Sequence, residues 1–172
     1  DPMYFEDPAD GRHWLYQGGS HAGLVISEMT SPITLAPDTG LYFLPPTGWG
    51  RTWEGVFVDV INDQYYLLLS SFGANSANYR LHYAVGDSPR GPFRLTSIHD
   101  GDAFLRRSDH EEIFGPGHHA TVRDAHGTIW VYYQQHNDRG GNYNRGVAVD
   151  PLWVDASGAL HIRPTRGRPL PG

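Results

Sequence analysis

One carboxylic acid in this sequence stands where an acid could do chemistry. In the segment RTWEGVFVD, Glu54 lies between Trp53 and Gly55, at the start of a run that predicts a pair of apolar β-strands. A glycine at a strand end lets a ligand approach the backbone closely. The rings of Trp49, Trp53 and Phe57 would leave the ionised acid poorly solvated, so its pKa would rise toward that of a general acid. The alternative is a solvated loop acid beside core aromatic residues.

One unit recurs along the chain: an apolar run, a turn with Gly, Asp or Asn, and a second run rich in aromatic residues. This pattern predicts β-hairpins, and one of them would position Glu54. Hairpins are predicted at 3–17, 56–71, 120–134 and 147–164, with further strands at 24–28 and 79–85. No window of a dozen residues keeps helical apolar spacing free of Gly or Pro, so we predict an all-β fold. Repeated antiparallel units are typical of propeller blades, and a β-sandwich is the competing architecture.

The composition favours a packed domain that meets neutral ligands. Of 172 residues, 39% are hydrophobic and 13% aromatic, which opposes disorder, and 21 Gly with 13 Pro indicate many tight turns. The formal charge is -6 and no basic run occurs, so nucleic acid is an unsuitable partner. Acids and aromatic rings suit a sugar better, and Trp49, Trp53 and Phe57 could form a stacking platform, of which one or two would touch substrate.

Other features limit the class of protein. With no Cys, the chain has neither a disulfide framework nor a thiolate metal site. No apolar run approaches the length of a membrane span. The 10 His include no HExxH spacing, which opposes a catalytic zinc. The chain starts abruptly at Asp1 inside a predicted strand, so we expect a mature, cleaved or excised piece.

Several segments in order resemble glycoside hydrolase family 43. They are DPMYFEDPADGRHWLYQGG, WEGVFVDVINDQYYLLLSS, YRLHYAVGDSPRGPF, GPGHHA and VDPLWVDASGALHI. The resemblance implies a five-bladed β-propeller enzyme acting on arabinose- and xylose-containing polysaccharides. Residues 1–172 would then be one partial propeller domain of roughly three to four blades, without the first blade or blades. It also implies an acidic triad at the propeller centre: a general base Asp, an acid-tuning Asp and a general acid Glu.

The resemblance carries over residue by residue. The family's Asp-Pro motif matches Asp1 with Pro2, so Asp1 would be the acid-tuning residue. Its Glu-Gly motif matches Glu54 with Gly55, which would make Glu54 the general acid. Asp1 would disfavour ionisation of Glu54 and hold its rotamer.

Two further site residues are implied in the same way. The Gly-x-Gly-His motif matches Gly115, Gly117 and His118, and this His would face the central channel and help to hold a structural calcium ion or water. Because Ca²⁺ prefers oxygen ligands, His118 would be one partner among waters. Its neighbour His119 should face the opposite side of the strand. Arg145 stands where the resemblance implies an Arg that reaches the sugar.

The chain departs from the family at the general base. Inverting hydrolysis needs two carboxyl groups about 6.5–9.5 Å apart, and the family's base lies upstream of the acid-tuning Asp. Asp59 would point away from the core, while Asp63 and Asp87 are predicted turn residues. We therefore expect the base on a separate polypeptide, on a segment removed by proteolysis, or nowhere.

The expected function is inverting hydrolysis of arabinose- or xylose-containing glycans by an extracellular or periplasmic enzyme. The alternative is a non-catalytic carbohydrate-binding or interaction module that kept the fold. The expected partners are the carbohydrate and the missing N-terminal propeller segment, which could be a separate chain. Self-association is a third expectation, since an open propeller leaves strand edges and blade faces exposed.

Overall fold

The computed structural model describes residues 1–18, 23–37, 42–44, 53–95 and 103–165. These residues form antiparallel sheets and no helix, which confirms the all-β prediction. In the described part of the chain nothing resembles a helix long and apolar enough to cross a membrane. The strands are β1 (Pro2–Glu6), β2 (His13–Gly18), β3 (Leu24–Ser31), β4 (Thr34–Leu35), β5 (Tyr42–Leu44), β6 (Glu54–Ile61), β7 (Gln64–Ser71), β8 (Arg80–Gly86), β9 (Arg94–Leu95), β10 (Gly117–Arg123), β11 (Ile129–His136), β12 (Arg145–Val154) and β13 (Leu160–Ile162).

Three sheets follow one another along the chain. The N-terminal sheet has the order β1-β2-β3-β4 with β5 also on β3, the middle sheet β6-β7-β8-β9, and the C-terminal sheet β10-β11-β12-β13. The first strand of the middle sheet, β6, adjoins both β1 and β10. Successive four-stranded meanders with adjacent first strands are blades of a propeller and not the two facing sheets of a sandwich. All predicted strands form, and the last two predicted hairpins join into one sheet.

The middle sheet is buried on both faces, and its central strand shows why. Along β7 the alternate residues Tyr65, Leu67 and Leu69 pack into the core shared with the N-terminal sheet. Tyr66 and Leu68 pack into the core shared with the C-terminal sheet. A strand covered on both sides needs apolar residues at consecutive positions, which accounts for the run YYLLL. This run therefore fixes the middle sheet between its two neighbours.

Buried carboxylates form hydrogen bonds between neighbouring sheets. The Tyr65 hydroxyl donates to both oxygens of Asp7 at 2.8 and 2.9 Å. Between the middle and C-terminal sheets, Asp59 accepts from the Thr121 hydroxyl at 2.7 Å and from the Arg123 guanidinium at 2.8 Å. The expectation that Asp59 points away from the core is wrong, because its side chain is 8% exposed. The opposing sheet supplies the donors that make this burial tolerable.

The Asp59 tie predicts a stability difference. Asp59→Asn removes the charge that Arg123 and Thr121 face, so the free energy of unfolding should fall by about 1.5–3 kcal/mol. Urea unfolding measures this loss. The control is Asp63→Asn in the same hairpin, where the residue is exposed and its positive φ of 60° suits Asn. Equal stability of the two variants would contradict the structural role of Asp59.

Candidate active site

The starts of the three inner strands β1, β6 and β10 meet at one end of the sheets. Asp1 precedes β1, and its carboxylate accepts a hydrogen bond from the Gly55 backbone N–H at 3.1 Å. The same carboxylate oxygen lies 3.9 Å from Nδ1 of His118, next to the start of β10. Residues that are 54 and 117 positions after Asp1 in the chain are thus brought to one carboxylate. Asp1, Glu54 and His118 therefore lie at the same end of the fold.

Glu54 is held by an irregularity at the start of β6. It is partly buried and lies opposite Ser70 of β7, and a register shift follows between Glu54 and Phe57. Gly55 at this bulge has a φ of +58°, and a Cβ there would lie 3.4 Å from the His118 Cα and 3.3 Å from the Ser70 hydroxyl. Both the left-handed conformation and the close approach favour glycine. The Glu-Gly pair is therefore needed to aim Glu54 at this position.

Ser70 and Tyr79 form the floor beneath Glu54. The Ser70 hydroxyl accepts a hydrogen bond from the His118 backbone N–H at 2.9 Å, which ties β10 to the middle sheet. The Tyr79 ring is fully buried and covers Gly117, where a Cβ would lie only 2.1 Å from the ring. The glycine at 117 in GPGHHA is explained by this contact, because any side chain would collide with the tyrosine.

Neighbouring charges influence the pKa of the Tyr79 hydroxyl. Burial raises the pKa of Tyr79 most strongly, the Glu54 carboxylate also raises it, and Ser70 and Arg145 oppose the rise. The hydroxyl has no hydrogen-bond partner of normal geometry among the described residues. The Glu54 carboxylate and the Arg145 guanidinium therefore both lie close enough to Tyr79 to influence the pKa of its hydroxyl.

Arg145 joins this end of the fold from β12. Its side chain is partly buried, one terminal nitrogen donates to the Ala74 carbonyl at 3.4 Å, and the guanidinium lies 5.1 Å from the centre of the Tyr143 ring. The ring of Tyr143 is 70% exposed. Arg145 is thus an anchored cation with an exposed aromatic neighbour, a pairing that suits an open sugar site.

Comparisons with known proteins agree with this geometry. The sequence model described as "Glycosyl hydrolases family 43" matches residues 1–160. The chain belongs to this family. The propeller of this family is five-bladed. The described sheets of this chain correspond to three of the blades.

Individual members of family 43 cover this chain almost completely. A β-D-galactofuranosidase, xynD, of Aspergillus niger is 28% identical over 163 residues, which is 93% of this chain and 44% of that protein. The crystal structure of a thermostable family-43 glycoside hydrolase has a TM-score of 0.83 and 27% identity, and covers 100% of this chain and 60% of its own. An endo-1,4-β-xylanase of Bacteroides thetaiotaomicron shares the fold, with a TM-score of 0.76, 20% identity, and coverage of 96% and 58%. The sequence therefore spans about half the length of these family 43 proteins.

The two adjacent histidines separate as predicted. The His118 side chain is 50% exposed at the site end, with a φ of +47° at a register shift of β10, whereas His119 is buried against Phe57. Calcium at His118 stays a prediction. Within the described ranges, no three His, Asp or Glu side chains are placed to hold a metal ion, and Ca²⁺ takes six to eight oxygen ligands. Asp1 and His118 alone do not supply that set, so no step below uses a metal.

The aromatic platform must be corrected. Trp53 is 3% exposed, belongs to the core shared with the N-terminal sheet and meets the His82 ring edge-on at 4.9 Å. A ring enclosed in this way cannot stack on a sugar, because stacking needs a free face. Phe57 is partly buried against His119, and Trp49 lies outside the described residues. Exposed aromatic surface near the site comes instead from Tyr143.

The remaining acids have other tasks. Asp59 is engaged by Arg123 and Thr121, as described above, and Asp63 is a turn residue with φ of 60°. Asp87 accepts from the Gln64 side chain at 3.0 Å. The structure therefore gives no reason to assign the general base to Asp59, Asp63 or Asp87. That residue stays a prediction for a part of the protein outside the described ranges.

Sequence reasoning missed Ser70 and Tyr79. Ser70 is a buried polar residue directly after the apolar run 65–69 of β7, which is a usable signal because buried hydroxyls need partners. Tyr79 begins the strand predicted at 79–85. Its signal is indirect, since only the pairing of β10 with the middle sheet brings Gly117 against its ring.

The buried His119 should make the stability of the protein depend on pH. Burial, assisted by the charge of His118, lowers the pKa of His119 from 6.5 to about 3. The unfolded chain binds a proton near pH 6.5 and the folded chain does not, so the free energy of unfolding should fall as the pH drops from 6.5 toward 3. His119→Leu should flatten this fall, measured by urea unfolding at several pH values. His126→Gln, at an exposed turn, should keep the full slope; an unchanged slope in His119→Leu would refute the assignment.

Proposed function

We propose that this chain is the acid-bearing part of a glycoside hydrolase in which Glu54 is the general acid. The observation that carries the proposal is the hydrogen bond from the Gly55 N–H to the Asp1 carboxylate, directly after Glu54 and at the meeting point of three inner strands. Membership of family 43 supplies the reaction class. Similarity to the galactofuranosidase and to the xylanase supports a furanose or pentose glycan as substrate. Such polymers are met outside the cell, which favours an extracellular or periplasmic enzyme.

The reaction that fits is hydrolysis with inversion. Glu54 gives its proton to the glycosidic oxygen as the bond from that oxygen to the anomeric carbon breaks. A water molecule attacks the anomeric carbon from the opposite face and loses its proton to a second carboxylate about 6.5–9.5 Å from the first. We assign this second carboxylate to a blade outside the present sequence, because the acids considered above are engaged elsewhere. The leaving sugar departs as an alcohol, and Glu54 is left as a carboxylate.

The neighbours of Glu54 have distinct tasks in this mechanism. Asp1 fixes the peptide that follows Glu54, so it positions the acid through the backbone. His118 lies beside Asp1 at the exposed side, within reach of a bound sugar. The buried Tyr79 hydroxyl lies near both Glu54 and Arg145 and contributes to the polar environment of the acid. These groups hold Glu54 in one orientation, which a general acid requires for transfer at hydrogen-bond distance.

Glu54→Gln tests the proton transfer. On a natural glycan or on an alkyl glycoside the variant should lose about 10²–10⁴-fold in kcat, because the leaving alkoxide is no longer protonated. On a dinitrophenyl glycoside the loss should be far smaller, since that leaving group departs without a proton. Rates on aryl arabinofuranosides, xylosides and galactofuranosides measure both effects in the full-length protein. The exposed Glu111→Gln is the matched control. Equal losses on both classes of substrate would exclude a general acid role for Glu54.

Tyr79→Phe tests the positioning of the acid. Loss of the buried hydroxyl near Glu54 should lower kcat by about fivefold and leave KM unchanged, because the orientation of the acid in the transition state becomes less well defined. The acid limb of the pH profile of kcat should move as well, because the environment of Glu54 changes. Tyr66→Phe removes a buried hydroxyl that donates to the Gly158 carbonyl at 3.0 Å, and it should change stability without moving the profile. A shift of the same size in both variants would mean a general packing effect.

A further inference from the structure

A basic cavity lies at the start of β8. It has a volume of about 310 Å³ and is lined by Asn78, Arg80, Arg106, Arg107 and Asp109. Among the described residues, three guanidinium groups and one carboxylate line this cavity, in a protein whose formal charge is -6. Such a concentration of one sign of charge in a concave surface favours an anionic ligand.

Backbone pairing brings the arginines together. Leu81 of β8 and Leu105 form an isolated antiparallel bridge, with the Leu81 N–H donating to the Leu105 carbonyl at 2.9 Å. In an antiparallel register this bridge sets Arg80 opposite Arg106. Like charges directly opposite each other are destabilising across paired strands. Arg80 and Arg106 therefore bring two positive charges to one wall of the cavity.

Two of the guanidinium groups are held in place by aromatic rings. Arg80 lies 4.1 Å from the centre of the Phe72 ring, and its Nε–H donates to the Asn78 carbonyl at 3.2 Å. Phe72 is 50% exposed and has a φ of +70°, which is an unusual conformation for a bulky residue. Backbone strain of this kind is concentrated at ligand sites, where the surrounding structure maintains it. Here the strained residue supports a cation at the cavity.

Arg107 is fixed in a similar way. Its guanidinium lies 5.7 Å from the Phe114 ring and its Nε donates to Asp109 at 2.8 Å. This hydrogen bond lowers the pKa of Asp109, with Arg139 acting in the same direction, so the acid among the described lining residues already interacts with cations. A guanidinium carries five N–H donors in a planar fork that matches a carboxylate. The fixed guanidinium groups therefore suit a planar anion such as a carboxylate, in addition to attracting negative charge in general.

The position of the cavity connects it to the reaction. Tyr79 lies close enough to Glu54 for the carboxylate to raise the pKa of its hydroxyl, while its chain neighbours Asn78 and Arg80 line the cavity. Glu54 pairs with Ser70, and Arg80 pairs with the adjacent Ser71. Two strand spacings of about 4.8 Å separate β6 from β8, so the cavity begins about 10 Å from the acid. A side branch or a neighbouring sugar of a bound glycan can span that distance.

We propose that the arginine cavity binds the carboxylate of a uronic acid residue carried by the glycan whose bond Glu54 cleaves. The proposal rests on the proposed function for the identity of the glycan, but the binding of the acidic sugar can be measured without hydrolysis. It assigns Arg80, Arg106 and Arg107 to specificity and leaves the chemistry at Glu54 unchanged. The enzyme would then prefer acidic, branched polysaccharides over their neutral counterparts.

The test compares one xylo-oligosaccharide that carries glucuronic acid with its carboxyl-reduced form, which differs only at that group. Calorimetry on the full-length protein should show binding at least about tenfold tighter for the acidic form, as expected for a charge-assisted hydrogen bond, with the advantage shrinking as salt is added. Arg106→Ala, at an exposed position, and Arg80→Lys, which keeps the charge without the fork, should each lose this advantage. Arg94→Ala, an exposed arginine near the other end of the same sheet, should retain it.

Each other outcome has a definite meaning. Equal binding of the two oligosaccharides, or an advantage that survives in Arg106→Ala and Arg80→Lys, overturns the proposal. Displacement of the acidic oligosaccharide by inorganic phosphate at equal concentration identifies a general anion site and overturns the sugar assignment. Activity of Arg106→Ala on a neutral aryl glycoside should equal that of the unmodified protein. If Glu54→Gln fails its own test while the acidic sugar still binds, the proposed function fails and the cavity assignment stands.

Discussion

The middle sheet has a neighbour on each face, and this constraint governs the rest of the structure. Because β7 is covered on both sides, it carries consecutive large apolar residues, and the two cores diverge from it to the N-terminal and C-terminal sheets. The same arrangement places β6 between β1 and β10. The ends of these inner strands must then meet, and the polar groups at those ends form a site without needing any long loop to carry them.

Apolar packing alone would allow the sheets to slide, and the polar contacts define the register between them. Asp7 with Tyr65 and Asp59 with Arg123 join the sheets away from the site. At the site, Asp1 binds the Gly55 N–H and Ser70 binds the His118 N–H. Each contact pairs a buried or partly buried group with a donor from another sheet, so a displaced sheet would leave unpaired polar groups behind. The geometry around Glu54 is therefore a product of the contacts between whole sheets.

Much of the fold was accessible from sequence, since strand alternation and turn residues are local signals. The hairpins around 56–71 and 120–134 have the predicted bounds within a few residues, and the short strands β4, β5 and β9 were missed because two or three residues carry no period. Motif similarity located Asp1, Glu54 and His118. It could not show that Trp53 faces the core, because the direction of a side chain at a strand start depends on the bulge at Gly55. Tyr79 and Asp59 depend on contacts between sheets, which no local pattern records.

The contact between Gly117 and Tyr79 also affects how variants of this protein should be interpreted. Gly117 has no side chain to offer a ligand, and it packs against the ring of Tyr79, whose hydroxyl lies near Glu54. A larger residue there would displace the ring, and the acid would lose its orientation although every polar group of the site is still present. In a mutational scan, substitutions at position 117 would therefore reduce activity as substitutions of catalytic residues do. Intolerance to substitution at this end of the fold marks the packing beneath the site as well as the groups that meet the sugar.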